Sequence, residues 1–315
     1  MAILKLKPSY KNYLWGGERL KTEYNKEYDG DVLAESWELS CHVDGKSLIE
    51  EGEFAGKTLQ EYIEWEGKRV LGKNCMRFRN FPVLIKFIDA KQDLSIQVHP
   101  TDAYALKEEG QYGKTEMWYV VECEPDACLY YGFSKKISKE ELKQRIQDET
   151  ITEVLNKVPV RKGDVYFIEA GTVHAIGKGI VIAEIQQNSN VTYRVYDYGR
   201  VGADGKKRDL HIEKALEVAD RDPKVRSESF DPHLGICSYF TVDKLVLDGH
   251  LLEKVTGNVD ESSFLHILVL DGAGSIHNGM DLSFRKGDSI LLTAGTGAYE
   301  IQGKCEALLT TIPVC

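Results

Sequence analysis

Four side chains between Gln97 and His174 could share one metal ion. Gln97 and His99 lie two apart in Ser95-Ile96-Gln97-Val98-His99-Pro100. Glu116 follows in Gly113-Lys114-Thr115-Glu116, and His174 closes the set in Gly171-Thr172-Val173-His174. Side chains alternate along a strand, so an extended Gln97-Val98-His99 points its outer two residues to one face. Two imidazoles and a carboxylate with one position open form the ligand pattern of a catalytic zinc-type site. Oxygen and nitrogen donors of this kind also accept manganese, cobalt or iron. His42, His233, His250 and His277 have no such companions and read as ordinary surface or core residues.

The elements that must hold these groups read mainly as strands. Val83-Leu84-Ile85-Lys86-Phe87-Ile88, Met117-Trp118-Tyr119-Val120-Val121, Val165-Tyr166-Phe167-Ile168, Ile180-Val181-Ile182-Ala183-Glu184-Ile185 and Phe264-Leu265-His266-Ile267-Leu268 are short apolar runs, rich in β-branched and aromatic residues. Such runs are strands of a sandwich or barrel. Thr58-Leu59-Gln60-Glu61 is a capping box and predicts a helix that stops near Gly72. Ser138-Lys139-Glu140-Glu141 is a second box, followed by apolar Leu142, Ile146, Ile151 and Leu155. It predicts a helical insertion, over about 135–158, inside a β domain.

The string that runs from Arg161-Lys162-Gly163-Asp164 to Ala170-Gly171-Thr172-Val173-His174 recurs from Arg285-Lys286-Gly287-Asp288 to Ala294-Gly295-Thr296-Gly297-Ala298. A turn, a strand and a second glycine turn, used twice, predict two stacked jelly-roll modules in a mainly all-β chain. His174 falls on Ala298 in the second copy, so the metal set belongs to the first module. The expected boundary lies in the polar stretch Arg221 to Pro232. It divides a metal-binding domain, residues 1–230, from a degenerate one, residues 231–315.

A net charge of −10 over 315 residues argues against a nucleic-acid partner, yet leaves room for a local basic pocket for an anionic small molecule. No apolar run approaches the ~18 residues that span a bilayer, and Met1 to Pro8 lacks the apolar core of a signal peptide. The 7 cysteines form no CxxC pair, which suits reduced thiols and a cytoplasmic protein. No membrane attachment and no obligatory protein partner is expected.

Gly163-Asp164 through Gly171-Thr172-Val173-His174 resembles the second half of a cupin motif. With Trp15-Gly16-Gly17, Ala34-Glu35-Ser36-Trp37-Glu38, Ser95 to Pro100, and Gly113 to Glu116, it makes essentially the whole chain look like the type I mannose-6-phosphate isomerase family. The resemblance is to the short form found in Gram-positive bacteria. It implies two cupin-like modules and one zinc per chain, with other divalent ions as alternatives, held by Gln97, His99, Glu116 and His174. It also implies an aldose–ketose isomerisation of D-mannose 6-phosphate and D-fructose 6-phosphate through a metal-stabilised enediolate.

Of the other site residues, the resemblance makes Arg194 catalytic and puts Arg200 where the family has a phosphate-binding lysine. Ser189-Asn190-Val191-Thr192-Tyr193-Arg194 departs from the family's Ser-Asp-Asn-x-x-Arg, since Asn190 stands where that string has an acid. Ser95 and Lys114 match positions that bind phosphate or substrate, and Trp15 and Glu35 match cleft residues. Glu184, on an apolar strand, is a candidate general base, with Lys114 and a hydroxide on the metal as alternatives. A metal-dependent sugar-phosphate sensor without turnover is the alternative reading. An iron-dependent cupin oxygenase fits less well, because the arginine pair and the whole-chain motif order speak for a phosphorylated substrate.

Overall fold

The structure, a computed structural model, describes residues 2–202, 205–226 and 230–314. The expected boundary therefore falls beside residues 227–229, which lie outside the described residues. Among the described residues, no helix is long and apolar enough to cross a membrane.

Three antiparallel sheets organise the chain. The first runs Val165–Ile168, Glu116–Cys123, Ile180–Gln187, Val83–Ala90, Glu35–Leu39, Ser9–Lys11. The second runs Leu155–Pro159, Cys128–Phe133, His174–Ile176, Ile96–Val98, Tyr193–Tyr196. These two face each other across a core that includes Ile88, Trp118, Val120, Ile180 and Ile182 from one, and Leu129, Tyr131 and Ile176 from the other. Alternation then sends Val83, Ile85, Phe87, Met117, Tyr119, Val181, Ala183 and Ile185 to the opposite face of the first sheet, into a second core. Both faces of these strands are buried, which is why they read as unbroken apolar runs. Each such side chain contributes about 1.5–3 kcal/mol through burial.

The third sheet runs Gly235–Ile236, Thr241–Leu247, Gly297–Thr311, Leu265–His277, Ser289–Leu292, Ile3–Lys7, Leu48–Ile49. It thus recruits two strands from the start of the chain, with Leu4 opposite Leu291 and Leu6 opposite Ser289. Leu4, Leu6, Leu268 and Leu308 share the second core with the first sheet, so the modules are packed together.

Both copies of the internal repeat fold alike. The backbone N–H groups of Arg161 and Arg285 donate to Asp164 and Asp288, each at 2.9 Å. Gly163 and Gly287 adopt φ of 89° and 91°, a left-handed conformation that suits glycine. Val165–Ile168 and Ser289–Leu292 follow as strands.

The Thr58 capping box is formed, with the Thr58 hydroxyl accepting from the Glu61 N–H at 3.1 Å and the Glu61 carboxylate accepting from the Thr58 N–H at 2.8 Å. Its α-helix, Leu59–Glu66, ends earlier than the pattern predicts, at Gly67 with φ 84°, and a 3-10 turn carries the chain on to Leu71. Ser138 caps Lys139–Gln147, which packs with Ile212–Val218 on the outer face of the second sheet through Leu142, Ile146, Ala215 and Leu216. Ile151 and Leu155 do not extend that helix. Glu149 turns left-handed at φ 58°, so Ile151 enters a 3-10 turn and Leu155 opens a strand.

A buried ion pair ties the strand Glu35–Leu39 to the second repeat turn. Lys26 Nζ lies 2.7 Å from Glu38 Oε1 and also donates to the Gly287 carbonyl. Burial pushes the Glu38 carboxyl upward, and Lys26 opposes that shift. Removing one partner strands the other in the core, so Lys26→Met should cost about 3–5 kcal/mol in denaturant unfolding. The double variant Lys26→Met/Glu38→Leu should recover most of it. A single-variant loss under about 1 kcal/mol would contradict this role.

Candidate active site

The site lies between the two facing sheets and follows from strand register. On the second sheet His174 is directly opposite Gln97, and Gln97 is opposite Arg194. On the first, Trp118 is opposite Glu184, Glu184 opposite Lys86, and Lys86 opposite Trp37. Two cross-strand rows of polar side chains thus meet within an apolar sandwich.

His99, Glu116 and His174 are buried and offer ligand atoms within 4.8 Å of one another. His174 Nε2 is 3.3 Å from Glu116 Oε1, and His99 Nε2 is 3.6 Å from Glu116 Oε2. The other imidazole nitrogens face backbone carbonyls: His99 Nδ1 donates to Val191 and His174 Nδ1 to Thr172, both at 2.8 Å. Those bonds put the proton on Nδ1 and turn each Nε2 lone pair toward Glu116. Burial drives His174 down to about 4 and His99 well below its ordinary value, so both rings are neutral at pH 7. Burial also pushes Glu116 up to about 8, against the pull of Lys114.

These atoms fit a divalent cation. His99 Nε2 and Glu116 Oε1 are buried without a hydrogen-bond partner, and Glu116 Oε2 meets only the Lys114 ammonium, a costly arrangement that a cation at their centre would resolve. Gln97 reaches the same point, its amide nitrogen lying 3.4 Å from His174 Nε2. The amide oxygen and nitrogen are nearly isosteric, so half a turn of the amide presents the oxygen there as a fourth donor. Two ring nitrogens, a carboxylate and an amide oxygen suit a divalent transition-metal ion.

A cavity of about 240 Å³ opens above this group. Of the residues singled out in the sequence, Trp15, Glu35, Ser95, Gln97, Lys114, Glu184 and Arg194 line it, with His99, Glu116 and His174 packed behind. Lys114 Nζ is 3.1 Å from Glu116 Oε2 and 3.9 Å from Glu184 Oε1. The Trp118 indole donates to Glu184 Oε2 at 3.0 Å, and Lys86 lies 3.1 Å from Oε1. Burial alone would raise Glu184, but Lys114, Lys86 and Trp118 together hold it at about 2. Beside Gln97 on the second sheet, Arg194 Nε donates to Ser95 Oγ at 3.2 Å, and its Nη1 to the Asp209 carbonyl at 3.0 Å.

Arg200 is not on this wall. Its guanidinium turns back to the Asp197 carboxylate and the Asp93 carbonyl. Two basic residues that the motifs do not single out are there instead, Lys86 and Arg208. Lys86 had a readable signal: one lysine in the apolar run Leu84-Ile85-Lys86-Phe87-Ile88 must find a partner when buried. It bridges Glu184 and Glu35, the latter at 3.5 Å. Arg208 had none, sitting in the polar string Gly205-Lys206-Lys207-Arg208. A larger cavity of about 440 Å³, walled by Lys46, Lys68, Phe78 and Arg79, contains none of the ligand set.

Saturating zinc should raise the melting temperature of chelator-treated protein, since a ligand at a hundred times its Kd stabilises the fold by about 2.7 kcal/mol. His174→Ala should abolish both the shift and the stoichiometric metal measured by elemental analysis. One bound ion per chain retained in His174→Ala would mean that the ligand set is wrong.

Comparison with known proteins agrees with this geometry. The chain matches the family model for phosphomannose isomerase type I, catalytic domain, over residues 3–129, and that for mannose-6-phosphate isomerase, cupin domain, over residues 232–312. It is 39% identical to mannose-6-phosphate isomerase ManA of Bacillus subtilis (strain 168), with 98% of each chain covered. It is 37% identical to mannose-6-phosphate isomerase of Streptococcus mutans, with 96% of each covered. The crystal structure of mannose 6-phosphate isomerase from Bacillus subtilis superposes with a TM-score of 0.90 at 33% identity, covering 98% of this chain and 99% of that one. With likeness of this strength from end to end, the chain belongs to the type I mannose-6-phosphate isomerase family.

Proposed function

We propose that the protein interconverts D-mannose 6-phosphate and D-fructose 6-phosphate at the cavity between the two sheets. One observation carries the reading. The cavity sets Gln97 and Lys114, the neighbours of a buried two-imidazole, one-carboxylate group, beside Arg194, Arg208 and Ser95. A sugar phosphate has the matching polarity, with vicinal oxygens at C1 and C2 and a dianion at C6. All the cavity-lining side chains precede residue 230, which supports reading residues 1–230 as the catalytic module and 231–315 as the second one.

Isomerisation moves a proton between C1 and C2 through an enediolate. Zinc, one ion per chain held by His99, Glu116, His174 and the Gln97 amide oxygen, would supply Lewis-acid stabilisation of the developing charge. In this reading Glu184 takes the carbon-bound proton. It is ionised throughout the neutral range, the state a base needs, though a carboxylate held near 2 has low intrinsic basicity. Lys114, between Glu116 and Glu184, donates to a substrate oxygen, and Lys86 keeps Glu184 in place from its other side. Trp15 and Glu35 line the same cavity.

The purified protein should convert mannose 6-phosphate in a coupled assay and lose that activity to a chelator. Glu184→Gln should lower kcat by roughly 10²–10⁴-fold, the usual worth of a positioned base. Turnover that is unaffected by complete metal removal would sink the reading.

A further inference from the structure

The cationic end of the cavity differs from the family pattern in one respect. That pattern puts the second phosphate cation six residues after Arg194, at Arg200. Here the strand Tyr193–Tyr196 ends in Tyr198 and Gly199, both left-handed at φ 55° and 67°, and the chain reverses. Arg200 is carried away from the cavity. Its Nε donates to the Asp197 carbonyl at 3.3 Å and carboxylate at 3.1 Å, and its Nη1 donates to the Asp93 carbonyl. These bonds make it a clamp on the turn.

Arg208 returns to the wall that Arg200 leaves. Its Nε donates to Asp197 Oδ2 at 2.8 Å and its Nη2 to Asp197 Oδ1, a two-point fork that fixes the guanidinium plane. The fork uses Nε and Nη2, so Nη1 is the edge left for a ligand. Asp197 is 6% exposed and is shared between the two arginines. Burial would raise its carboxyl, but the bonds from Arg208 and Arg200 hold it below the ordinary range, so it remains a charged anchor. Arg208 and Arg194 line the same cavity, and after burial itself Arg208 is the strongest influence disfavouring the charge on Arg194. Asp197 offsets part of that repulsion, and a ligand anion lying against both guanidiniums would offset more of it.

We propose that Arg208, held by Asp197, is the second cation of the phosphate subsite, in the place the family pattern gives to Arg200. The inference rests on the sugar-phosphate reading of the cavity. Asp197 is a positioning residue in it, and Arg208, Arg194 and Ser95 are the groups that touch the phosphate.

Steady-state kinetics with mannose 6-phosphate and calorimetric titration with inorganic phosphate test it, each on wild type, Arg208→Gln, Arg208→Lys, Asp197→Asn and Arg200→Gln. Loss of a charge-assisted contact should raise KM for Arg208→Gln roughly ten- to hundredfold, proportionally more than it lowers kcat, and weaken phosphate binding by a similar factor. Arg208→Lys keeps the charge without the fork and should fall between that variant and wild type. Asp197→Asn should raise KM in the same direction, and Arg200→Gln should change it by less than Arg208→Gln does. KM and phosphate affinity within twofold of wild type in both Arg208 variants, with the rise seen in Arg200→Gln instead, would overturn the inference. The two arms separate the claims. Arg208-dependent phosphate binding without turnover would sink the isomerase reading and leave the anion site standing. Turnover with phosphate binding indifferent to Arg208 would do the reverse.

Discussion

Everything in this site depends on a buried carboxyl group that a single protein cation contacts closely. Glu116 is fully enclosed, its Oε1 has no hydrogen-bond partner, and its Oε2 meets the Lys114 ammonium at 3.1 Å. Two neutral imidazoles aim lone pairs at it, each fixed by an Nδ1–H bond to a carbonyl. Such a concentration of acceptors in an apolar sandwich is unfavourable in itself. It becomes favourable only around a cation, so metal binding and the integrity of this core are one problem.

Strand register distributes the remaining charge. The row Trp118–Glu184–Lys86–Trp37 crosses the first sheet directly above the metal group, and His174–Gln97–Arg194 crosses the second. Lys86 lies between Glu35 and Glu184, and Lys114 between Glu184 and Glu116, so the cavity floor is a close row of titratable groups. A slip of one residue in any of these strands would send its charged groups into the apolar cores. The sandwich therefore specifies the chemistry through alternation, with no long loop needed to deliver the metal ligands.

Much of this could be read from residue order. The grouping of His99, Glu116 and His174 was legible because strand alternation and the Gly171-Thr172-Val173-His174 turn leave a pattern in a linear string. The repeat was legible because both copies need the same glycines and the same Asp-to-backbone bond. The cationic end was not. The direction of Arg200 is decided by two consecutive left-handed residues, and nothing in Asp197-Tyr198-Gly199 announces that a tyrosine adopts positive φ. Arg208 enters through a turn whose partner, Asp197, is recognisable only in three dimensions. Helix ends were misjudged for a related reason, since Glu149 stops a helix by its backbone conformation while Ile151 and Leu155 keep the apolar rhythm going.

The most direct measurement is the proton count on metal binding. Burial pushes Glu116 up to about 8 in the metal-free protein, while His174 sits at about 4 and His99 is depressed, so at pH 7 the carboxyl holds a proton and the imidazoles do not. A cation must displace that proton. Calorimetric titration of chelator-treated protein with zinc, in buffers of different ionisation enthalpy, should give about one proton released per ion at pH 7. The count should fall toward zero as pH rises past 8, where the carboxyl is already ionised. Tight binding with no proton released at pH 7 would contradict a Glu116 carboxyl held protonated by burial in the metal-free site.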